Sequence, residues 1–592
     1  MKRAFLLILT ILFIKACNIP ALQAAAIEPQ EKSLLSFLDS IFQNRTETVF
    51  QFIETDPAQI EAISRMVSID RKQDSLFTAY ANRQEMAAFL QSGHRIHSIL
   101  ASPTEIARQQ KSISMAQTME EMAEWNRYPT YPLYIEMMRS FAQEHPDICR
   151  LDTIGFSVKG RLILCLKISD NAHQEEPEPS FFYSSSIHGD ELTGYVLMLR
   201  LADYLLDNYG SDEEATRLVD EMQIHINPLS NPDGAYALSD ENVSGATRYN
   251  ANGIDLNRNY PDFWSGDHSR IEKENQAMID YVDAHDFVMA VNVHGGSDVL
   301  NYPWDGFRSS QKEHADAAWW QAICARYVDS CRLVDAASYR DVNSQGYIHG
   351  GDWYVVHNGR QDYFNIYNHV RELTLEISVT KLPDASRLPD FWNTNWRSLL
   401  NYMKEAGYGI RGSVSDSVSG EPIRALVCVQ GHDKDSSQIY SSAIHGAYFR
   451  PIEAGTYDLR FSAPGYFPKT IQGIQVRNLN YTVNNIALLP DTSWHSGLAN
   501  DPPVDANGLD KNPATCRLYP NPVSGTLHIE ADEPVSLQAV YRVSDGRRVL
   551  APRIRNFQKA HRLDASILPS GVYLLEIENE NGSRESLRFV NQ

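Results

Sequence analysis

Residues 181–191 read Phe181-Phe182-Tyr183-Ser184-Ser185-Ser186-Ile187-His188-Gly189-Asp190-Glu191, and a helical stretch from Leu192 to Leu206 follows. Three consecutive aromatic residues make a short apolar strand that the serines end. A strand feeding a helix predicts an α/β sheet, and such sheets build their sites at the carboxyl ends of their strands. His188 and Glu191 form an His-x-x-Glu pair at that end, and a distant His294 opens His294-Gly295-Gly296. Two imidazoles and a carboxylate are a three-ligand set that leaves zinc a fourth position for water. Taken alone, the pair reads more simply as a surface His beside a surface Glu.

The pair is not alone. Asn231-Pro232-Asp233-Gly234, Arg248-Tyr249-Asn250 and Asp255-Leu256-Asn257-Arg258-Asn259 follow it. After His294 come Asn301-Tyr302-Pro303-Trp304-Asp305, Trp353-Tyr354, Gly359-Arg360-Gln361-Asp362 and Glu376. In order, spacing and chemistry these resemble the zinc metallocarboxypeptidases, within them the subfamily of carboxypeptidases N, E and D, over residues 128–407. The family's Pro-Tyr-Asp and Gly-Gly-Met-Gln-Asp patterns read Pro303-Trp304-Asp305 and Asn358-Gly359-Arg360-Gln361-Asp362 here. Those departures are expected on the walls of the side-chain pocket.

The resemblance implies an α/β fold with a mixed β-sheet flanked by helices, one zinc per chain held by His188, Glu191 and His294, and a set of roles. Glu376 lies in Leu373-Thr374-Leu375-Glu376-Ile377, whose apolar residues suggest a buried strand where a carboxylate is costly without a partner or a task. By resemblance it is the general base. Arg248 and Arg258 lie in a Gly- and Asn-rich stretch, and Arg can fork onto a carboxylate or hold an oxyanion. The resemblance gives Arg248 the oxyanion, Asn257 and Arg258 the substrate's terminal carboxylate, and Tyr354 the mobile tyrosine that closes over the terminal residue. Asp305, eleven positions after His294, matches the pocket acid of basic-residue carboxypeptidases, and Gln361 a pocket glutamine. A desolvated carboxylate there favours a substrate Lys or Arg. The other reading of Asp305 is a cap for the turn before Gly306.

A length of 592 residues predicts about four domains. The formal charge of −22 argues against a nucleic-acid partner and mildly attracts basic peptides. Lys2, Arg3, the apolar run Ala4 to Ile14 and Ala24-Ala25-Ala26 read as a signal peptide over 1–26, too short to span a bilayer, and no later segment reads as transmembrane. Cysteine is sparse, although Cys149 and Cys165 flank a hairpin turn at Lys159-Gly160 that leaves a disulfide open.

Residues 27–126 form an α+β region and connector. Strand, helix, two strands, helix and strand between Thr48 and Leu100 give the split βαβ order. This is similar to metallocarboxypeptidase prodomains, which cover the active cleft; a plain accessory domain remains the other reading. The peptidase-like region spans 127–407, with a closing helix from Trp392 to Met403. Short alternating strands over 408–490 resemble the transthyretin-like β-sandwich of the subfamily. A linker rich in Asp, Pro, Asn and Gly spans 491–515. Residues 516–592, with Leu518-Tyr519-Pro520-Asn521-Pro522 and Leu568-Pro569-Ser570-Gly571-Val572-Tyr573, form a second β-sandwich that resembles the Bacteroidetes type IX secretion sorting domain.

The expectation is a secreted or cell-surface enzyme, attached to the outer membrane after transit of the periplasm, that trims peptides and proteins with basic carboxyl termini and meets the type IX secretion machinery. Two rivals are a zinc amidase acting on peptidoglycan stem peptides and a non-catalytic surface peptide-binding protein. Asp305 and its segment speak against the first, and retention of Glu376 and all three ligands against the second.

Overall fold

Strands that bury both faces read as continuous apolar runs, and four such strands build the centre of this molecule. The computed structural model describes residues 33–43, 45–266, 270–491, 516–519, 525–542, 548–550, 558–566, 568, 571–579 and 584–591. The expected signal peptide, and all of the expected linker but Asp491, lie outside the described residues.

The chain begins with a helix at Ser33–Phe42 and a four-stranded antiparallel sheet of β1 (Glu47–Ile53), β2 (Ser68–Gln73), β3 (Leu76–Asn82) and β4 (Ser98–Leu100) in the order β2-β3-β1-β4. Helices at Pro57–Ser64 and Arg83–Gln91 make the two crossovers. Both start as capping rules require: Asp56 accepts from Ala58 N ahead of Pro57, and Asn82 with Glu85 forms a capping box. A connector follows, in which β5 (Met115–Ala116) pairs in parallel with β6 (Tyr128–Pro129).

The peptidase-like region is an eight-stranded mixed sheet. Its strands are β7 (Cys149–Phe156), β8 (Leu162–Ile168), β9 (Ser180–Ser185), β10 (Gln223–Asn227), β11 (Phe287–His294), β12 (Ser297–Tyr302), β13 (Tyr347–His349) and β14 (Arg371–Ser378), in the order β13-β12-β14-β11-β9-β10-β8-β7. The parallel centre, β14-β11-β9-β10, is buried at every residue. Side chains alternate between two cores. Phe181, Tyr183, Val291 and Val293 pack with helices Thr193–Asn208 and Leu388–Lys404, whereas Phe182 and Ala290 pack with helices Lys273–Asp283 and Arg360–Tyr367. Helices therefore flank both faces. The helix after the His188 turn lies tight on the sheet: a Cβ at Gly194 would stand 2.5 Å from Ser185 Oγ and Val293 Cγ1. Cys149 and Cys165 are free thiols. Cys149 is registered against Ile168 and Cys165 against Asp152, and their side chains join opposite cores, so no disulfide joins them.

From Gly409 to Leu488 two four-stranded sheets face each other over Val414, Val427, Tyr448, Leu459 and Phe461. This sandwich docks on the peptidase-like region through a buried ion cluster. Asp316 accepts from Arg450 at 2.8 and 3.0 Å, from Arg371 at 3.1 Å, and lies 2.7 Å from His432 Nε2. Arg371 opens β14, so the sandwich is tied to a central strand. In the last block, the long strand Thr526–Arg542 pairs with Gln558–Asp564 through its first half and with Gly571–Asn579 through its second, over a core of Ile529, Val540, Leu575 and Phe589.

Asp316→Ala leaves two buried guanidinium groups without their shared partner. The expected cost is about 3–5 kcal/mol, read by scanning calorimetry. A loss below about 1 kcal/mol, the range of a surface pair, would show that the cluster does not hold the two parts together.

Candidate metal centre and substrate cleft

The turn after β9 makes the site. Ser186 has a left-handed backbone (φ 56°), and its hydroxyl donates to the Glu191 carbonyl at 2.8 Å, folding the chain back so that His188 and Glu191 face each other. Such a conformation costs a non-glycine residue roughly 1–2 kcal/mol and persists where its surroundings hold it. Gly189 lets the turn approach its neighbour, since a Cβ there would stand 2.2 Å from the Gly234 carbonyl carbon. Asn231 of the Asn-Pro-Asp-Gly motif donates to the carbonyls of Ile187 (3.2 Å) and Arg248 (3.4 Å), tying the turn to the arginine loop.

His294 ends β11, beside β9. His188 Nδ1 lies 2.9 Å from Glu191 Oε1, and His294 Nδ1 lies 2.8 Å from Glu191 Oε2. One ligand atom from each of the three residues lies within 4.8 Å of the others, and all three side chains are buried. The far side of His188 is held, because Nε2 lies 3.1 Å from Asp255 Oδ1. A carboxylate behind a ligand histidine fixes its ring and tautomer, as metal centres require. Burial pushes His294 down to about 4 against the pull of Glu191, so its imidazole is neutral and able to ligate. Burial alone would raise Glu191, but His188, Lys381 and His294 outweigh it and hold the carboxylate well below its usual range. Two imidazoles and one ionised carboxylate fit zinc.

Glu376 stands directly opposite His294 in the parallel β11–β14 register. Burial, then Glu191, push its carboxyl well above the usual range, and its Oε2 has no hydrogen-bond partner. Arg248 is buried, with Nε 3.0 Å from Asp255 Oδ2 and one terminal nitrogen 3.5 Å from Glu191 Oε1. Asn257 accepts from the Arg360 amide at 3.0 Å. Arg258 donates to the carbonyls of Asn257 (2.9 Å) and Ile69 (3.1 Å), and its Nε is buried without a partner. Asp305 Oδ1 accepts from Gln361 Nε2 at 2.9 Å, and Gln361 Nε2 also reaches Asn301 Oδ1 at 3.4 Å. Burial, then Asp362, raise the Asp305 carboxyl well above its usual range. The turn amides of Asp305 and Gly306 are both capped by Asp362 at 2.8 Å, so the Asp305 side chain does not cap that turn. A Cβ at Gly350 would stand 1.9 Å from Asp305 Oδ1, so glycine leaves room beside the acid.

The two departures from the family pattern lie deeper than expected. Arg360 turns under the sheet to pair with Glu372 at 2.8 Å, and Trp304 is fully buried against Trp264 and His314. Three residues of the site carried no assigned role in the sequence reading. Asp255 links His188 to Arg248, and Asp190 accepts from Tyr80 at 2.9 Å. Lys381 Nζ stands 2.7 Å from Glu191 Oε1. Asp255 sat in a quoted motif; Lys381 left only its position, five residues beyond Glu376.

The N-terminal sheet reaches into this cleft. Asp70 Oδ1 lies 3.1 Å from Arg248 and 2.5 Å from Lys381 Nζ, and the Tyr354 hydroxyl donates to the Asp70 carbonyl at 3.4 Å. Glu47 accepts from the amides of Arg248 (3.0 Å) and Tyr249 (3.2 Å). Tyr354 packs against the N-terminal core.

Residues 134–398 match the Zinc carboxypeptidase family, and residues 517–590 match the Secretion system C-terminal sorting domain. Carboxypeptidase D of Mus musculus is 35% identical over 364 residues, 60% of this chain and 26% of that protein. The chain thus spans about a quarter of the length of the carboxypeptidase D relatives it matches. The catalytic chain of carboxypeptidase N of Mus musculus is 32% identical over 425 residues, 65% of this chain and 91% of that protein. Among solved structures, carboxypeptidase A of Helicoverpa armigera aligns with a TM-score of 0.48 at 18% identity, covering 60% of this chain and 96% of that one. With nine-tenths of a carboxypeptidase N catalytic chain matched, and a histidine-glutamate-histidine centre that fits the metal, the chain belongs to the zinc carboxypeptidase family and carries a secretion-system sorting domain over residues 517–590.

Proposed function

We propose that the protein is a secreted zinc metallocarboxypeptidase that removes single residues, Lys or Arg, from the carboxyl termini of peptides and proteins. One juxtaposition carries the reading: Glu376 stands in register with His294 beside the ligand trio, within one buried cluster of charges that includes Arg248.

Bound to His188, Glu191 and His294, zinc supplies Lewis acidity towards a water and the scissile carbonyl. Asn257 and Arg258 take the terminal carboxylate of the peptide, and Tyr354 closes over its last residue. Glu376 accepts a proton from the attacking water and returns it to the departing amine, a role its place opposite His294 suits. Arg248, oriented by Asp255, stabilises negative charge growing on the carbonyl oxygen. Asp305, oriented by Gln361, pairs with a substrate ammonium or guanidinium, and an apolar residue would leave that acid buried and unpaired. The sorting domain suits export from the periplasm by the type IX secretion machinery, to the outer-membrane surface or the medium. Among the described residues no helix is long and apolar enough to cross a membrane.

The N-terminal unit is, in this reading, a cover. Asp70 sets a carboxylate on Arg248 and Lys381, where a substrate carries its own negative charge. Asp70→Ala is expected to raise the initial rate on a short peptide ending in Arg about 5-fold or more, roughly 1 kcal/mol of competition removed. An unchanged rate would favour a plain accessory domain.

Glu376→Gln is expected to lower turnover by about three orders of magnitude, roughly 4 kcal/mol, with folding intact by circular dichroism. Chelation should abolish wild-type turnover and zinc restore it. A variant that keeps a tenth of the wild-type rate would remove Glu376 from the reaction.

Asp305→Asn should depress kcat/KM for peptides ending in Lys or Arg while sparing or improving those ending in Leu or Phe. Parallel losses on both classes would show that Asp305 does not read the substrate side chain.

A further inference from the structure

We propose that the segment between β8 and β9, with Gln223 at the start of β10, binds one hard divalent cation of the calcium type. This place lies at the opposite end of β9 from His188. The segment reads Asp170-Asn171-Ala172-His173-Gln174-Glu175-Glu176-Pro177-Glu178-Pro179. Asp170, Glu176 and Glu178 each bring a carboxylate oxygen within 4.8 Å of the others.

Local donors do not balance them. Ser169 Oγ reaches Asp170 Oδ1 at 3.4 Å, and Asn171 Nδ2 reaches Glu176 Oε1 at 3.2 Å. Lys167 Nζ is engaged by the Gln174 carbonyl at 2.7 Å and Glu175 Oε1 at 2.9 Å. Glu176 Oε2 and Glu178 Oε2 are buried without a hydrogen-bond partner. Acidic clusters alone are common, but a neighbouring strand supplies an independent observation. Gln223 is 2% exposed, its Nε2 donates to the Glu176 backbone carbonyl at 3.0 Å, and it lines one cavity together with Glu178. Its Oε1 is left a buried acceptor with no partner. Three buried oxygens without donors, two of them on carboxylates, call for a cation. An all-oxygen set mixing carboxylates with an amide carbonyl suits calcium, whereas zinc prefers nitrogen and sulfur.

A proton is the competing remedy. Burial, then Glu176 and Asp170, push Glu178 up to about 8, so a shared proton would also relieve the crowding. Calcium binding separates the two. The cation would join the segment to β10 ahead of β9, so its effect falls on stability and leaves the zinc chemistry alone.

The test uses the full, zinc-loaded chain in calcium-free buffer at pH 7.5, titrated with calcium chloride in a calorimeter and followed by thermal melting. The expected result is one calcium per cluster, a rise in Tm of roughly 3 °C or more at saturation, and unchanged kcat. The double variant Asp170→Asn, Glu178→Gln keeps the shape and removes the repulsion, so it should fold without calcium and lose both the heat and the shift. No response of the wild-type chain up to millimolar calcium, or an equal response of the double variant, would overturn the proposal.

Discussion

Glu191 carries a full negative charge at 3% exposure, and the arrangement around it follows from keeping that charge tolerable. An isolated buried carboxylate would be neutralised or would unfold its surroundings. Here His188, His294 and Lys381 converge on its two oxygens, with Arg248 close behind. Those partners need support in turn. Asp255 takes the outer nitrogen of His188 and the Nε of Arg248, so one acid aligns a candidate metal ligand and the arginine proposed for the oxyanion together. The site is a single charge network, and each of its members is affordable inside the protein only because of the next.

The sheet makes that network possible. Parallel strands end in step, so the turn after β9, the last residue of β11 and the middle of β14 reach one edge of the sheet. The strands are apolar on both faces, and their rigidity fixes the ligand positions. The same logic extends beyond the site. Arg371 begins β14 and is clamped through Asp316 to Arg450 of the following sandwich, so that domain braces the strand carrying Glu376.

Legibility in the sequence tracked how local each signal is. His188, Glu191, His294 and Glu376 could be singled out because the family resemblance rests on short motifs, and the structure groups the first three and sets Glu376 opposite His294. The split βαβ order was readable because its strands, turns and helix caps are short-range patterns. Lys381 was not, since its side chain enters the site only after the chain folds back from β14 to meet Glu191. The role of Asp70 was equally hidden, because it arises between two parts of the chain distant in sequence. Asp305 carried two readings, and the turn-cap one fell to Asp362, an acid fifty-seven positions away that takes the turn amides. The Cys149–Cys165 pairing failed for a geometric reason: the strands are neighbours, but their register points the thiols into opposite cores.

Electrostatics ties the cover to the cleft. The whole chain is strongly acidic, yet Arg248, Arg258 and Lys381 gather at one mouth. A cleft that takes a peptide's terminal carboxylate must hold such cations, and in an acidic protein they attract the nearest available acid. Asp70 and Glu47 meet that need from the N-terminal sheet, and the Ile69 carbonyl does the same for Arg258. Tyr354 is drawn into the N-terminal core by the same docking. Arg258 and Tyr354, which the proposed reaction uses to hold a substrate, and Arg248, which it uses for the oxyanion, are therefore among the groups that meet the N-terminal unit. In the proposed reading substrate and cover call on the same donors, so the two compete directly for Arg248 and Arg258.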